Sequence, residues 1–344
     1  MKLQLHIGTH KTGTTAIQSY LYAHRKQLKK LGVLYPKCCD DVCDQQFSFI
    51  ATCMRNNEDH SAQQYIDKIR QEAIECDAQI VVISGEDFSL LDKDKVELLA
   101  NMLDDFEVEI VVYFRNIYDH LISTFAQINR LCAVLPAWDH IGSTLHDLMD
   151  YDALLVKWCD AFGSERLKAH SYDQHKSDLI LHFIENLNIT ADKNRSLLKT
   201  VDAPRFTNSN AKFDPVFELF LMLIGHSTSS RDFNRARDLY KKRFGDNEFT
   251  RDTQLLLARA FLQSRKLKFN HPKLKSFKKD LKPALAVTQN TVNTDVGEFM
   301  IALGGVITDL GHAKVHDDYR IVKAWRQWLF KTKLKIKRLL RRWK

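Results

Sequence analysis

The sequence predicts an α/β fold of three layers, a mostly parallel central sheet between helices. Three observations predict it. Four short apolar segments, Leu3–Ile7, Ile80–Ser84, Glu109–Phe114 and Leu167–Tyr172, read as buried strands, and two of them are rich in β-branched residues. Stretches of helical period separate them, the pattern of a sheet covered on both faces. The residues with the most chemistry to offer stand directly after these segments, where ligands bind in open parallel sheets.

The pattern changes from about Phe213 onward. Phe213–Ile224, Asp232–Phe244, Asp252–Ser264 and Asp295–Leu310 have helical period, and convincing strands are lacking. We therefore expect an α/β core over 1–225, a helical C-terminal extension over 226–320 on the acceptor side, and a separate segment over 321–344. At 344 residues, 44% hydrophobic and 27% charged, the chain can bury a substantial core. No apolar run reaches the roughly 18 residues of a membrane-spanning helix. Met1-Lys2 leads directly into the first strand, leaving no room for a secretory signal core, so a cytoplasmic location is expected. The seven cysteines include no CxxC pair, which speaks for reduced thiols over a disulfide framework or zinc ribbon.

The net charge of +8 is unevenly spread. Ten of the 51 Lys and Arg residues fall in 321–344 with no acid among them, leaving 41 basic against 43 acidic residues elsewhere. The body is thus no basic nucleic-acid binder. In the tail, Trp325, Trp328, Leu329, Ile336, Leu339, Leu340 and Trp343 recur at helical spacing, with Lys and Arg between them. Such an amphipathic helix suits an anionic membrane surface, giving peripheral association at the inner face. Binding of an acidic polysaccharide or packing on the protein remain open for it.

The strongest local signal is Leu5-His6-Ile7-Gly8-Thr9-His10-Lys11-Thr12-Gly13-Thr14-Thr15, followed by Ala16–Leu21 in helical register. A strand, a Gly/Thr turn and a helix in that order make an anion cradle, since the first N–H groups of the helix lack acceptors. Gly8 and Gly13 let the backbone bend around a phosphate, Lys11 adds a charge, and Thr14 and Thr15 add hydroxyls. The loop departs from the triphosphatase pattern GxxxxGK[ST], because position 14 is Thr and the lysine lies two residues before Gly13. This segment resembles the 5′-phosphosulfate loop of the sulfotransferase superfamily, particularly bacterial and carbohydrate-type members with a KTGTT core. The resemblance implies a P-loop NTPase-like fold. It also implies 3′-phosphoadenosine 5′-phosphosulfate (PAPS) as co-substrate and its desulfated form PAP as product. Lys11, Thr12, Gly13, Thr14 and Thr15 would hold the 5′-phosphate, and Lys11 would steady the leaving oxygen.

A second element follows the third predicted strand. Arg115 stands where sheet passes to helix, and Ser123 lies eight residues on. An Arg fork and a hydroxyl can hold a second phosphate together. The arrangement resembles the family's 3′-phosphate site, and the likeness continues through Tyr151–Leu155, Trp158, Phe162-Gly163 and Ser171-Tyr172-Asp173, covering roughly 1–225. The basic, Gly-containing loop of cytosolic sulfotransferases is not visible; Arg205, Asn208 and Ser209 are the candidates in its place.

Sulfuryl transfer also needs a base for the acceptor proton. Glu86, after the second strand, is the first candidate; His10 inside the loop is its rival and Asp87 the third. No metal is called for. The expectation is a PAPS-dependent sulfotransferase acting on a hydroxyl of a carbohydrate or glycolipid. The alternatives are a P-loop nucleotide kinase and a non-catalytic nucleotide- or glycan-binding protein.

Overall fold

The computed structural model describes residues 1–37, 46–131, 148–187, 189 and 267–282. All belong to one compact unit, Met1–Pro215 with Gln254–Ala286. The second unit, the helices expected over 213–264 and 295–310, the candidates Arg205, Asn208 and Ser209, and the basic tail lie outside the described residues.

Five strands form one parallel sheet: β1 (Lys2–Ile7), β2 (Val33–Leu34), β3 (Ile80–Gly85), β4 (Glu107–Phe114) and β5 (Leu167–Ser171), ordered β2-β3-β1-β4-β5. Every residue of β3 is buried, as is nearly all of β1 and β4, which is why they read as continuous apolar runs. The chain winds outward from β1 to the β2 edge, then crosses to β4 and β5, so the switch in strand order lies at β1. A crevice beyond the carboxyl ends of the strands is expected there. The two-residue β2 has no run long enough to carry a period, and it escaped the sequence reading.

Between the strands run α1 (Thr14–Ala23), α2 (Arg25–Lys30), α3 (Ser48–Arg55), α4 (Asp59–Glu75), α5 (Lys93–Met102), α6 (Ile117–Leu131) and α7 (Tyr151–Phe162). After β5 come α8 (Tyr172–His175) and α9 (Leu179–Glu185). Side-chain caps fix several starts. Asp92 accepts from the Lys95 N–H at 3.0 Å, Asp150 from Ala153 at 3.0 Å, and Asn116 from Tyr118 at 2.9 Å. Residues 267–282 lie on the same unit. The Asn270 and His271 N–H groups donate to Asp152 at the start of α7, and Phe269, Leu274, Phe277 and Leu281 are buried.

One sheet face is polar in its interior. His6, Ser84, Tyr113 and His170 share it, and His6 Nδ1 lies 2.8 Å from Ser84 Oγ. Gln18 of α1 donates to the Ser84 carbonyl at 3.3 Å, and the Phe183 ring of α9 packs on the His6 imidazole. Tyr113 Oη meets His182 Nδ1 at 2.8 Å, while the His175 and His182 rings stack at 3.6 Å. Burial holds His6, His170 and His182 near a pKa of about 4 and His120 near about 3, below the ordinary 6.5. These imidazoles fold as neutral groups.

The sign of the resulting pH dependence follows. The unfolded chain takes up these protons near pH 6.5 and the folded one resists until about 4, so their stabilising effect is complete above 6.5 and is lost as pH falls toward 4. Urea midpoints should fall across that window with a slope exceeding one proton. A flat midpoint from pH 7 to 4.5 would contradict this burial.

Candidate anion-binding site

The turn after β1 is pinned on both flanks. The Gly8 N–H donates to the Gly85 carbonyl at the end of β3 at 3.1 Å, and Thr9 Oγ1 donates to the Tyr113 carbonyl in β4 at 2.7 Å. Thr12 Oγ1 donates back to the Thr9 carbonyl at 2.6 Å, so its hydroxyl proton is spent inside the loop. Two consecutive bends need the left-handed region: Gly13 at φ 77°, where glycine is at ease, and Lys11 at φ 64°, where a side chain costs about 1 kcal/mol or more.

Gly13 is the N-cap of α1. It has no side chain with which to cap, and no acid stands in the first turn. Ala16 and Ile17 N–H donate to the Gly13 carbonyl, leaving the Thr14 and Thr15 N–H groups ahead of the first helical bonds. The positive end of the helix dipole is therefore neither capped nor neutralised by its own sequence. Thr14 is 1% exposed, and among the described residues its Oγ1 has no partner; Thr15 is exposed.

Arg115 joins this turn from the end of β4. Its Nη1 donates to the Lys11 carbonyl at 3.0 Å, its guanidinium lies 5.5 Å from the Tyr172 ring, and its buried Nε has no partner among the described residues. The Arg115 carbonyl accepts from Tyr151 Oη at 2.8 Å, and the Asn116 N–H donates to Asp173 at 2.6 Å. Two elements 104 residues apart thus converge on one place. Ser123 is half-buried in the second turn of α6; among the described residues no hydrogen bond joins it to Lys11 or Arg115.

On the β3 side, Glu86 meets His10 with Oε2 at 3.0 Å from Nδ1, both largely buried. Ser48 at the start of α3 holds the backbone of this turn, accepting from Glu86 N at 2.9 Å and Asp87 N at 3.3 Å. Burial pushes the Glu86 carboxyl up, but the His10 hydrogen bond and the charges of His10, Lys11 and His6 outweigh it and hold it below its ordinary range. Asp87 accepts from Thr52 at 3.1 Å and is committed to α3. The structure brings together His10, Lys11, Glu86 and Arg115, and commits Asp87 to α3.

Sequence reasoning missed Thr9, which locks the turn to β4, and the buried relay of His120, Tyr151 and the Arg115 carbonyl. Neither has a local signature, because each partner lies tens of residues away. A cavity of about 370 Å³ opens at the opposite, amino-terminal edge of the strands, lined by Lys2, Gln4, Glu107, Glu109 and Arg166 among others. It lies at the opposite end of the strands from the cradle. Among the described residues no group of three His, Cys, Asp or Glu side chains is arranged to hold a metal, and no helix is long and apolar enough to cross a membrane.

The arrangement can bind an anion with a tetrahedral group. A Cβ on Gly13 would stand 2.4 Å from Leu179 Cδ2 and 3.3 Å from Tyr172, on a backbone already at positive φ. Gly13→Ala should therefore cost about 1 kcal/mol or more in urea unfolding and weaken anion binding; unchanged stability would remove the close packing inferred here. No protein-family model, curated protein or solved structure matches this chain.

Proposed function

We propose that the chain is a PAPS-dependent sulfotransferase acting on a hydroxyl of a carbohydrate or glycolipid. The observation that carries the reading is the 3.0 Å hydrogen bond from Arg115 Nη1 to the Lys11 carbonyl, which sets two cation-bearing turns side by side. A nucleotide phosphorylated at both 3′ and 5′ positions needs two such grips in one crevice. The donor set fits. Thr14 Oγ1 and Arg115 Nε are buried polar atoms with no partner among the described residues, and both can donate to phosphate oxygens.

PAPS, when bound, supplies an activated sulfuryl group and leaves as PAP. The turn residues Lys11, Thr12, Gly13, Thr14 and Thr15 hold its 5′ side through backbone N–H groups, the Thr14 hydroxyl and the Lys11 ammonium, while Arg115 and Ser123 hold the 3′-phosphate. Lys11 offsets negative charge as it builds on the leaving oxygen. The acceptor proton goes to the His10–Glu86 pair. Glu86, kept ionised, takes the Nδ1 hydrogen bond and orients the ring, so that Nε2 faces the incoming hydroxyl. A base oriented by a carboxylate follows the logic of hydrolytic triads.

Calorimetry separates this reading from a nucleotide kinase. PAP should bind at least tenfold more tightly than ADP or ATP, and Lys11→Ala should weaken it and abolish sulfate transfer. Preference for ATP with magnesium would reverse the assignment. Glu86→Gln should lower kcat about 10²-fold while leaving the PAP Kd within about twofold. A normal turnover in that variant would return the pair to a structural role.

A further inference from the structure

His120 lies in the first turns of α6, fully buried, and the function just described gives it no task. Its hydrogen bonds determine its tautomer. Tyr151 Oη lies 2.8 Å from the Arg115 carbonyl, which can only accept, so the single phenolic proton is spent there. The contact of 2.6 Å between Tyr151 Oη and His120 Nδ1 must then be donated by the imidazole. Nδ1 carries the proton, and Nε2 is left with a lone pair.

Among the described residues that lone pair has no protein partner. A buried acceptor without a donor is costly, and native proteins seldom tolerate one without a purpose. Thr124, one turn further and 3% exposed, has an unpartnered Oγ1 as well. Burial first, then the charges of Arg115, His10 and Lys11, hold the imidazole near a pKa of about 3. It therefore stays neutral at any working pH and keeps its lone pair. Through Tyr151 Oη the imidazole is tied to the Arg115 backbone, at the edge of the cradle. A neutral acceptor among cations is a poor partner for phosphate, since Nε2 has no proton to donate; it suits a hydroxyl.

We propose that His120 Nε2 accepts a hydrogen bond from the ribose 2′-hydroxyl of the nucleotide whose 3′-phosphate Arg115 holds, making His120 the residue that selects the 3′-phosphate isomer. The proposal rests on the PAPS reading of the site. The 2′-hydroxyl is vicinal to the 3′-phosphate, so a residue near Arg115 is placed to meet it. A 2′-deoxy ribose leaves the lone pair unmet. A 2′-phosphate sets acceptor oxygens against it.

The test is calorimetry of the full chain with PAP, 2′-deoxy-PAP and 2′,5′-ADP. The native protein should favour PAP over the deoxy compound by about tenfold, the worth of one buried hydrogen bond, and over the 2′,5′ isomer by more. His120→Ala should abolish the discrimination, and His120→Gln, which returns an acceptor, should restore part of it. Should these variants fail to fold, nitrogen NMR of the native protein decides. His120 Nε2 should carry the signal of an unprotonated nitrogen, shifted by PAP and not by 2′-deoxy-PAP. Tight PAP binding with equal affinity for the deoxy compound would overturn the His120 assignment alone, giving the lone pair to a buried water. Failure of PAP to bind would overturn this proposal together with the functional reading.

Discussion

Lys11 and Arg115 are held against one another at the boundary between β1 and β4, and the arrangement has an electrostatic consequence. The guanidinium donates into the carbonyl of the residue that carries the ammonium group. The uncapped start of α1 adds its dipole to the same spot. Like charges gathered where water is partly excluded repel one another. Glu86 lies close enough to act on both His10 and Lys11, and Asp173 accepts from the Asn116 N–H. The fold thus concentrates cationic side chains and an uncapped helix start at one strand edge.

The surrounding histidines sharpen this. Four imidazoles could have been another source of positive charge, but burial keeps His6, His120, His170 and His182 neutral.

 The rings of His6, His170 and His182 instead meet neighbouring rings edge-on or at a tilt, or hydrogen-bond across the polar sheet face, linking β1, β4, β5 and α9. Positive charge is thereby confined to side chains that can reach a ligand, and the neutral imidazoles serve packing and hydrogen bonding. Leu179, the first residue of α9, seats against Gly13, so the same layer packs on the cradle.

The sequence revealed what is local and concealed what is not. The strands β1, β3, β4 and β5 were legible because buried parallel strands are short apolar runs, and their observed ends differ from the expected ones by only one or two residues. The turn Gly8–Thr15 was legible because glycine and threonine between a strand and a helix have few other uses. The strand-end position of Arg115 was legible for the same reason. Its grip on the Lys11 carbonyl was not, since it depends on β4 lying beside β1 although β2 and β3 intervene in the chain. Likewise Thr12 looked like a phosphate donor, but the fold turns its hydroxyl to Thr9. His120 has an ordinary place in an amphipathic helix, and only Tyr151, 31 residues away, fixes its proton.

Moving the lysine from the helix into the turn changes what the residue can do. In the first turn of α1 a lysine would have helical backbone and a carbonyl committed to the helix. At position 11 its backbone is left-handed, and its carbonyl is free to receive Arg115. The hydrogen bond offsets part of the cost of that conformation and fixes the guanidinium beside the backbone of the turn. Thr14, standing where the triphosphatase pattern has its lysine, contributes a neutral hydroxyl beside Gly8, whose missing Cβ would fall 2.6 Å from Thr14 Oγ1. The small residue and the hydroxyl fit one another only in this order. The loop is therefore built with its charge on the flank and a neutral donor at the helix start, an arrangement suited to a ligand that is charged at two separated places.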